Sequence, residues 1–224
     1  ALEQETLMQF CSTGEPEGEF FLGIIETIAT SRYMQRVGAF LRQYPKVRLH
    51  VNVDTAPRLR KALTHGDIDI AILLDPYHEG ERLRILHHSP SPIAFITAVD
   101  SPFANRSVCL HELVDSTWVL TQRGTNYRKK LEDDLTERHL YLRDRVEIGT
   151  SKTIIDFVAS GLGLSLLPAV TVADAVRTGH VAVIDVTDYQ IDMQLQILAA
   201  DERWLPQPLA LLAEDFAAGL EEEG

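Results

Sequence analysis

Two cysteines in 224 residues, Cys11 and Cys109, are too few for a disulfide framework and fit a reducing compartment. Long apolar runs are missing too: none approaches the roughly 18–20 residues a membrane span needs. Residues 1–18 are acidic and polar, unlike a secretory signal, so the cytoplasm is the expected location and no membrane contact is foreseen. Positive charge is also short. Against 33 acidic residues stand 21 Lys and Arg, a net charge of −12, so this chain by itself repels polyphosphate and is a poor nucleic-acid binder. Solubility, or adaptation to a salty cytoplasm, is the simplest reading of that acidity. There is no Walker loop, no Gly-x-Ser-x-Gly elbow and no low-complexity segment.

What is present is an α/β pattern, met twice. With 45% apolar residues the chain has material for one large domain or for two lobes, each with a core. Val158-Ala159-Ser160-Gly161-Leu162-Gly163-Leu164-Ser165-Leu166-Leu167-Pro168 runs from an apolar helix end through two glycines into a short buried strand that Pro168 stops. The earlier stretch from Leu63 to Leu73, with Gly66 between helix and strand, has the same form. In the first part, strands are expected at 19–25, 47–53 and 68–74, alternating with helices at 31–44 and 56–65. Further strands follow at 83–86 and 93–99. The second set has strands at 117–121, 145–147 and 164–167, with helices at 127–137 and 153–160. A helix at 171–178, strands at 180–186 and 194–200, and a closing amphipathic helix at 208–220 complete the pattern. Strands alternating with helices imply parallel sheets covered by helices.

Ligands of parallel α/β sheets sit at the carboxyl ends of strands, where helix N-termini point. Four such junctions carry hydroxyls or glycine: Thr27-Ile28-Ala29-Thr30-Ser31, Asp54-Thr55-Ala56, Arg123-Gly124-Thr125-Asn126 and Gly149-Thr150-Ser151-Lys152-Thr153. Each offers free N–H groups and the positive end of a helix dipole. Arg32, Arg123, Arg128 and Lys152 lie at or beside them, so a small anion, a carboxylate foremost, is the expected ligand. For any one junction, a Ser or Thr that merely caps its helix is the commoner outcome. His87-His88 and Cys109-Leu110-His111 lack zinc-site spacing and read as loop histidines, so no metal and no cofactor is expected. No nucleophile–base set stands out, and an enzyme is disfavoured. Trp118 and Trp204 are expected to pack, Trp204 alternatively at a lobe junction.

The order Gly23…Glu26-Thr27-Ile28-Ala29…Tyr44-Pro45-Lys46-Val47, then Gly66-Asp67-Ile68-Asp69-Ile70-Ala71-Ile72, resembles a LysR-type transcriptional regulator. Asp100-Ser101-Pro102-Phe103-Ala104 and the 158–168 segment continue the likeness, over roughly residues 19–215. The resemblance implies an α/β fold of two Rossmann-like lobes in the periplasmic-binding-protein type II architecture, joined by two crossover strands near 93–99 and 194–200. It implies lobe I at 19–95 plus 198–224, lobe II at 96–197, and residues 1–18 as the end of a linker helix and a hinge. It places a small-molecule effector between the lobes, against Thr27, Thr30, Ser31, Thr55, Thr125, Thr150 and Ser151. Self-association to a dimer or tetramer is implied, with DNA bound only through a helix-turn-helix that this sequence does not include. The alternatives are a solute-binding protein of a transporter, which shares the two-lobed design, and an enzyme built on the same lobes.

Overall fold

A computed structural model of the chain describes residues 15–76, 83–104, 106–201 and 204–221. The expected linker helix at the N-terminus lies outside the described residues. The first sheet has five strands in the order β2-β1-β3-β11-β4, where β1 is Gly18–Ile24, β2 Val47–Val53, β3 Ile70–Asp75, β4 Leu83–Pro90 and β11 Gln194–Ala200. Strand β1 runs parallel to β2 and β3, as the β-α-β-α-β pattern requires, whereas β11 is antiparallel to β3 and β4. All six residues of β3 are buried, the signature of a central strand covered on both faces. Helix α3 (Ala56–His65) packs on β1 and β3, while α2 (Tyr33–Gln43) packs against α8 (Gln207–Glu221). Gly66 ends α3 at φ +82°, where its N–H and that of Asp67 both reach the Ala62 carbonyl.

The second sheet has the order β6-β10-β5-β9: β6 is Ser107–Val108, β10 Ala182–Val186, β5 Ile93–Thr97 and β9 Ser165–Pro168. A parallel pair, β7 (Thr117–Thr121) and β8 (Asp144–Ile148), joins its edge through bonds between Leu164 and the backbone of β7. Helices α5 (Asn126–Glu137), α6 (Ser151–Ala159) and α7 (Ala169–Arg177) clothe this half. The glycine-rich segment does two separate jobs here. Gly161 turns the chain at φ +83°, and Gly163 lies so close to β7 that a side chain would collide with the Thr117 carbonyl. Pro168 ends β9 and is itself paired with Ile93.

Hydrogen bonding places Ile93–Thr97 wholly in the second sheet and Gln194–Ala200 wholly in the first. The chain crosses between the sheets just before each of these strands, and the crossings lie side by side, with Ser91 N–H donating to the Met193 carbonyl at 2.9 Å.

Two details depart from the sequence reading. The helix expected at 31–44 is present as α2, but a single helical turn that the sequence reading did not foresee, α1 (Glu26–Ala29), precedes it across Thr30, Ser31 and Arg32. Of the tryptophans, Trp118 is fully buried and donates its indole N–H to the Leu113 carbonyl at 3.0 Å, but Trp204 is 76% exposed and does not pack. An indole N–H is tolerated in a core only where such an acceptor is in reach.

Candidate functional site

The carboxyl ends of β1, β2, β3 and β7 face one another across the gap between the sheets, and between them lies a cavity of about 270 Å³. From the first half it is lined by Ile25–Thr27, Val53–Ala56 and Leu74; from the second by Thr121, Gln122, 124–127 and Gly149. Both halves contribute helix N-termini, since α3 begins at Ala56 and α5 at Asn126. No described lining residue is Lys, Arg or His.

The walls are under-bonded. Thr27 Oγ1, Thr121 Oγ1 and the Tyr127 hydroxyl are buried and reach no described group in good hydrogen-bond geometry, although the Thr121 and Tyr127 hydroxyls interact with each other. Burial pushes the Tyr127 phenol well above its ordinary pKa; the Thr121 hydroxyl opposes that shift and the Glu26 charge adds to it. A buried hydroxyl without a partner costs about 1–3 kcal/mol. Three on one cavity need an explanation, and a bound polar molecule is the simplest.

Of the sequence-predicted residues, Thr27, Thr55 and Thr125 line this cavity. Thr30, Ser31 and Ser151 do not. They border a second depression, of about 450 Å³, which also holds Arg32, Lys152 and His180 with Asp156 and Asp174. Thr30 and Ser31 stand at the C-terminal end of the single turn α1, whereas Glu26 and Thr27 at its start line the cavity. Thr150 caps α6, its Oγ1 accepting the Thr153 N–H at 3.4 Å.

The basic residues are spent elsewhere. Arg128 is buried, donates to the Thr121 carbonyl, and meets Glu147 and Glu132 at 2.8 and 3.0 Å. Desolvation works against its charge, but the bonds to Glu147 and Glu132 outweigh it and raise its pKa. Arg123 is exposed and faces Glu147 at 3.7 Å, and Lys152 pairs with Asp156.

Across the gap, Glu26 Oε1 accepts both the Ser151 N–H at 3.0 Å and the Ser151 hydroxyl at 3.1 Å. Thr30 Oγ1 lies 2.7 Å from Ser151 Oγ, and the Thr171 hydroxyl donates to the Thr27 carbonyl at 3.0 Å. Burial holds the Glu26 pKa up, with the Ser151 amide and hydroxyl pulling it down. Sequence reasoning missed Thr121 and Tyr127. The strand-end rule points to Thr121, the last residue of β7, while Tyr127 carries no signal beyond its place in the first turn of α5.

One trio among the described residues brings possible metal-ligand atoms within 4.8 Å: Cys109, His111 and Asp188. Asp188 Oδ1 already accepts the Leu110 N–H at 2.8 Å, and Oδ2 faces Arg138 at 3.9 Å, so this carboxylate serves the start of the short helix α4 (Leu110–Leu113).

Comparison with known proteins gives one answer. The chain is 27% identical over 216 residues to the uncharacterized HTH-type transcriptional regulator YwqM of Bacillus subtilis, covering 93% of this chain and 71% of that protein. It is 23% identical over 205 residues to the RuBisCO operon transcriptional regulator of Acidithiobacillus ferrooxidans, covering 89% of this chain and 65% of the relative. The chain thus spans only about two thirds of these relatives' length. In structure it is similar to the Synechocystis PCC6803 CcmR regulatory domain in complex with 2-PG, with a TM-score of 0.78 at 19% identity, covering 92% of this chain and 99% of that one. The effector binding domain of QuiR in complex with shikimate follows at a TM-score of 0.72 and 14% identity, with 93% and 99% covered. These structural likenesses show a shared two-lobed fold. Residues 13–221 match the family model described as the LysR substrate binding domain, and the chain therefore belongs to the LysR substrate-binding-domain family.

Proposed function

We propose that this chain is the effector-sensing part of a LysR-type transcriptional regulator, and that the cavity between the lobes receives a small polar metabolite. One observation carries the reading: three buried hydroxyls, Thr27, Thr121 and Tyr127, complete no well-formed hydrogen bond on the wall of a single cavity between the two sheets. A ligand that bonds to them recovers their desolvation cost, and only when both lobes are in place around it. Thr55 and Thr125 are the further contacts we assign to the effector; Thr30 and Ser151 act in closing the lobes, while Ser31 and Thr150 serve the ends of their own helices. The QuiR and CcmR domains were solved with small molecules bound, which supports a ligand here.

The carboxylate expected from Arg32, Arg123, Arg128 and Lys152 loses that support, because none of the four lines the cavity. The Asp54 carboxylate lines the cavity at the start of α3 and accepts the Thr55 N–H at 2.7 Å, so the N-terminus of α5 is the positive end left for an effector's acidic group, where it has one. Effector binding then shifts the relative position of the lobes about the crossings at 90–93 and 191–194, by as much as its affinity differs between the two arrangements. In the full regulator an upstream helix-turn-helix binds DNA, self-association to a dimer or tetramer passes the change to it, and the cytoplasm is the place of action. The relatives' names as transcriptional regulators support this over a transporter solute-binding protein or an enzyme.

The experiment is a thermal-shift screen of this chain against shikimate, hydroxy acids, amino acids and aromatic acids. A ligand that binds only the folded state at a hundred times its Kd adds about 2.7 kcal/mol of stability. One class is expected to stabilise the wild type and to fail on Thr27→Val/Thr121→Val. Equal stabilisation of that double variant overturns the assignment of the cavity.

A further inference from the structure

We infer that Glu26 is a built-in anion: its carboxylate fills the position at the N-terminus of α6 where a ligand's carboxylate would bind, so the adjoining end of the cavity accepts hydrogen-bond-donating groups and rejects acidic ones. This rests on the effector reading above and specifies the ligand class at one end of that site. The start of α6 offers what an anion needs, a free backbone N–H at Ser151, the Ser151 hydroxyl beside it, and the positive end of a nine-residue helix. Glu26 reaches that point from the opposite lobe and takes both bonds with one oxygen, at 3.0 and 3.1 Å. Ser151 is completely buried, so the pairing is shielded from water.

The same Glu26 lines the cavity, next to the unpartnered Thr27 hydroxyl and close enough to Tyr127 to raise its pKa. A ligand carboxylate at this end would face the Glu26 charge with no Lys, Arg or His among the described lining residues to offset it. An amine or hydroxyl meets the opposite situation, with a half-buried carboxylate and hydroxyl oxygens ready to accept. The geometry also ties the lobes together without any ligand, since Glu26 stands on α1 and Ser151 on α6.

The test empties the position. In Glu26→Ala, sodium acetate and sodium formate are titrated against sodium chloride of equal ionic strength, and thermal stability is followed. Acetate and formate are expected to raise the melting temperature of the variant with saturation and by more than that of the wild type, and to bind several-fold more weakly when Ser151→Ala is added. A Glu26→Ala response no greater than that of the wild type, or one that chloride reproduces, overturns the inference. If the variant does not fold on expression, its refolding from urea is compared in the two salts. Recovery in acetate alone supports the built-in anion, and equal recovery or equal failure in both overturns it. Neither result depends on the Thr27 and Thr121 hydroxyls, so failure here and failure of the cavity assignment are separate outcomes.

Discussion

Arg128 donates to the main-chain carbonyl of Thr121, the residue whose own hydroxyl completes no well-formed hydrogen bond on the cavity wall. The guanidinium is 1% exposed and also bonds to Glu132 on its own helix and Glu147 on β8. It thereby fixes the carboxyl end of β7 without itself lining the cavity. Removing it strands a buried carbonyl and two carboxylates. We expect Arg128→Met to cost about 3 kcal/mol, the low end for breaking a buried ion pair, because Glu132 and Glu147 remain about a third exposed. Urea denaturation checks this, and Arg128→Lys should recover only part of the loss because it lacks the planar fork.

The under-bonded hydroxyls make an opposite prediction. Tyr127→Phe and Thr121→Val each delete a buried group that completes no well-formed hydrogen bond in the free protein. Without ligand, both variants are expected to be as stable as the wild type or up to about 1 kcal/mol more stable. Chemical denaturation of the free protein measures this. A loss above that size would mean that the hydroxyls are satisfied in solution.

Gly161 and Gly163 separate two kinds of glycine requirement. Gly161 has φ +83° and open space around its Cα, so Gly161→Ala should cost only the left-handed backbone term, about 1–2 kcal/mol. Gly163 meets the rigid backbone of Thr117, and Gly163→Ala is expected to cost more than Gly161→Ala and to loosen the join between β9 and β7. Hydrogen exchange at the Val119 and Leu164 amides reads that join directly.

Glu26 and Glu147 are expected to give pH dependences of opposite sign. Burial raises the folded-state pKa of Glu26 above 4.5, so its contribution to stability is complete below 4.5 and is lost as pH rises through the folded value. The Arg128 bond lowers that of Glu147, so its contribution is present above 4.5 and is lost as pH falls through the folded value. Wild-type stability minus that of Glu26→Gln should therefore fall as pH rises above 4.5. The same difference for Glu147→Gln should fall as pH drops below 4.5. Parallel slopes in the two series would contradict these assignments.

Much of the architecture was legible because it depends on local order. Val47–Val53, Ala56–His65 and Thr117–Thr121 begin and end where alternation, the proline near the helix start and Gly66 place them. The site was less so. Thr27, Thr55 and Thr125 reach the cavity as strand-end logic predicts, yet four further hydroxyl residues chosen by the same logic do not line it. Arg128 is the sharpest case. It sits one turn into a helix at a junction, the ordinary place for an anion ligand, and its guanidinium instead points inward to Thr121, Glu132 and Glu147.

The sequence by itself determined a doubled α/β pattern, because hydrophobic period, glycines and prolines act within a few residues of one another. The likeness to the LysR family rested instead on the order of its motifs, and the family match over residues 13–221 bears it out. Only the tertiary structure decided which junctions share a cavity, which hydroxyls are left without a well-formed bond, and that Glu26 rather than a ligand meets the start of α6. Those properties depend on distances between residues about a hundred positions apart, and such distances are set by how two sheets face each other, which no local pattern encodes.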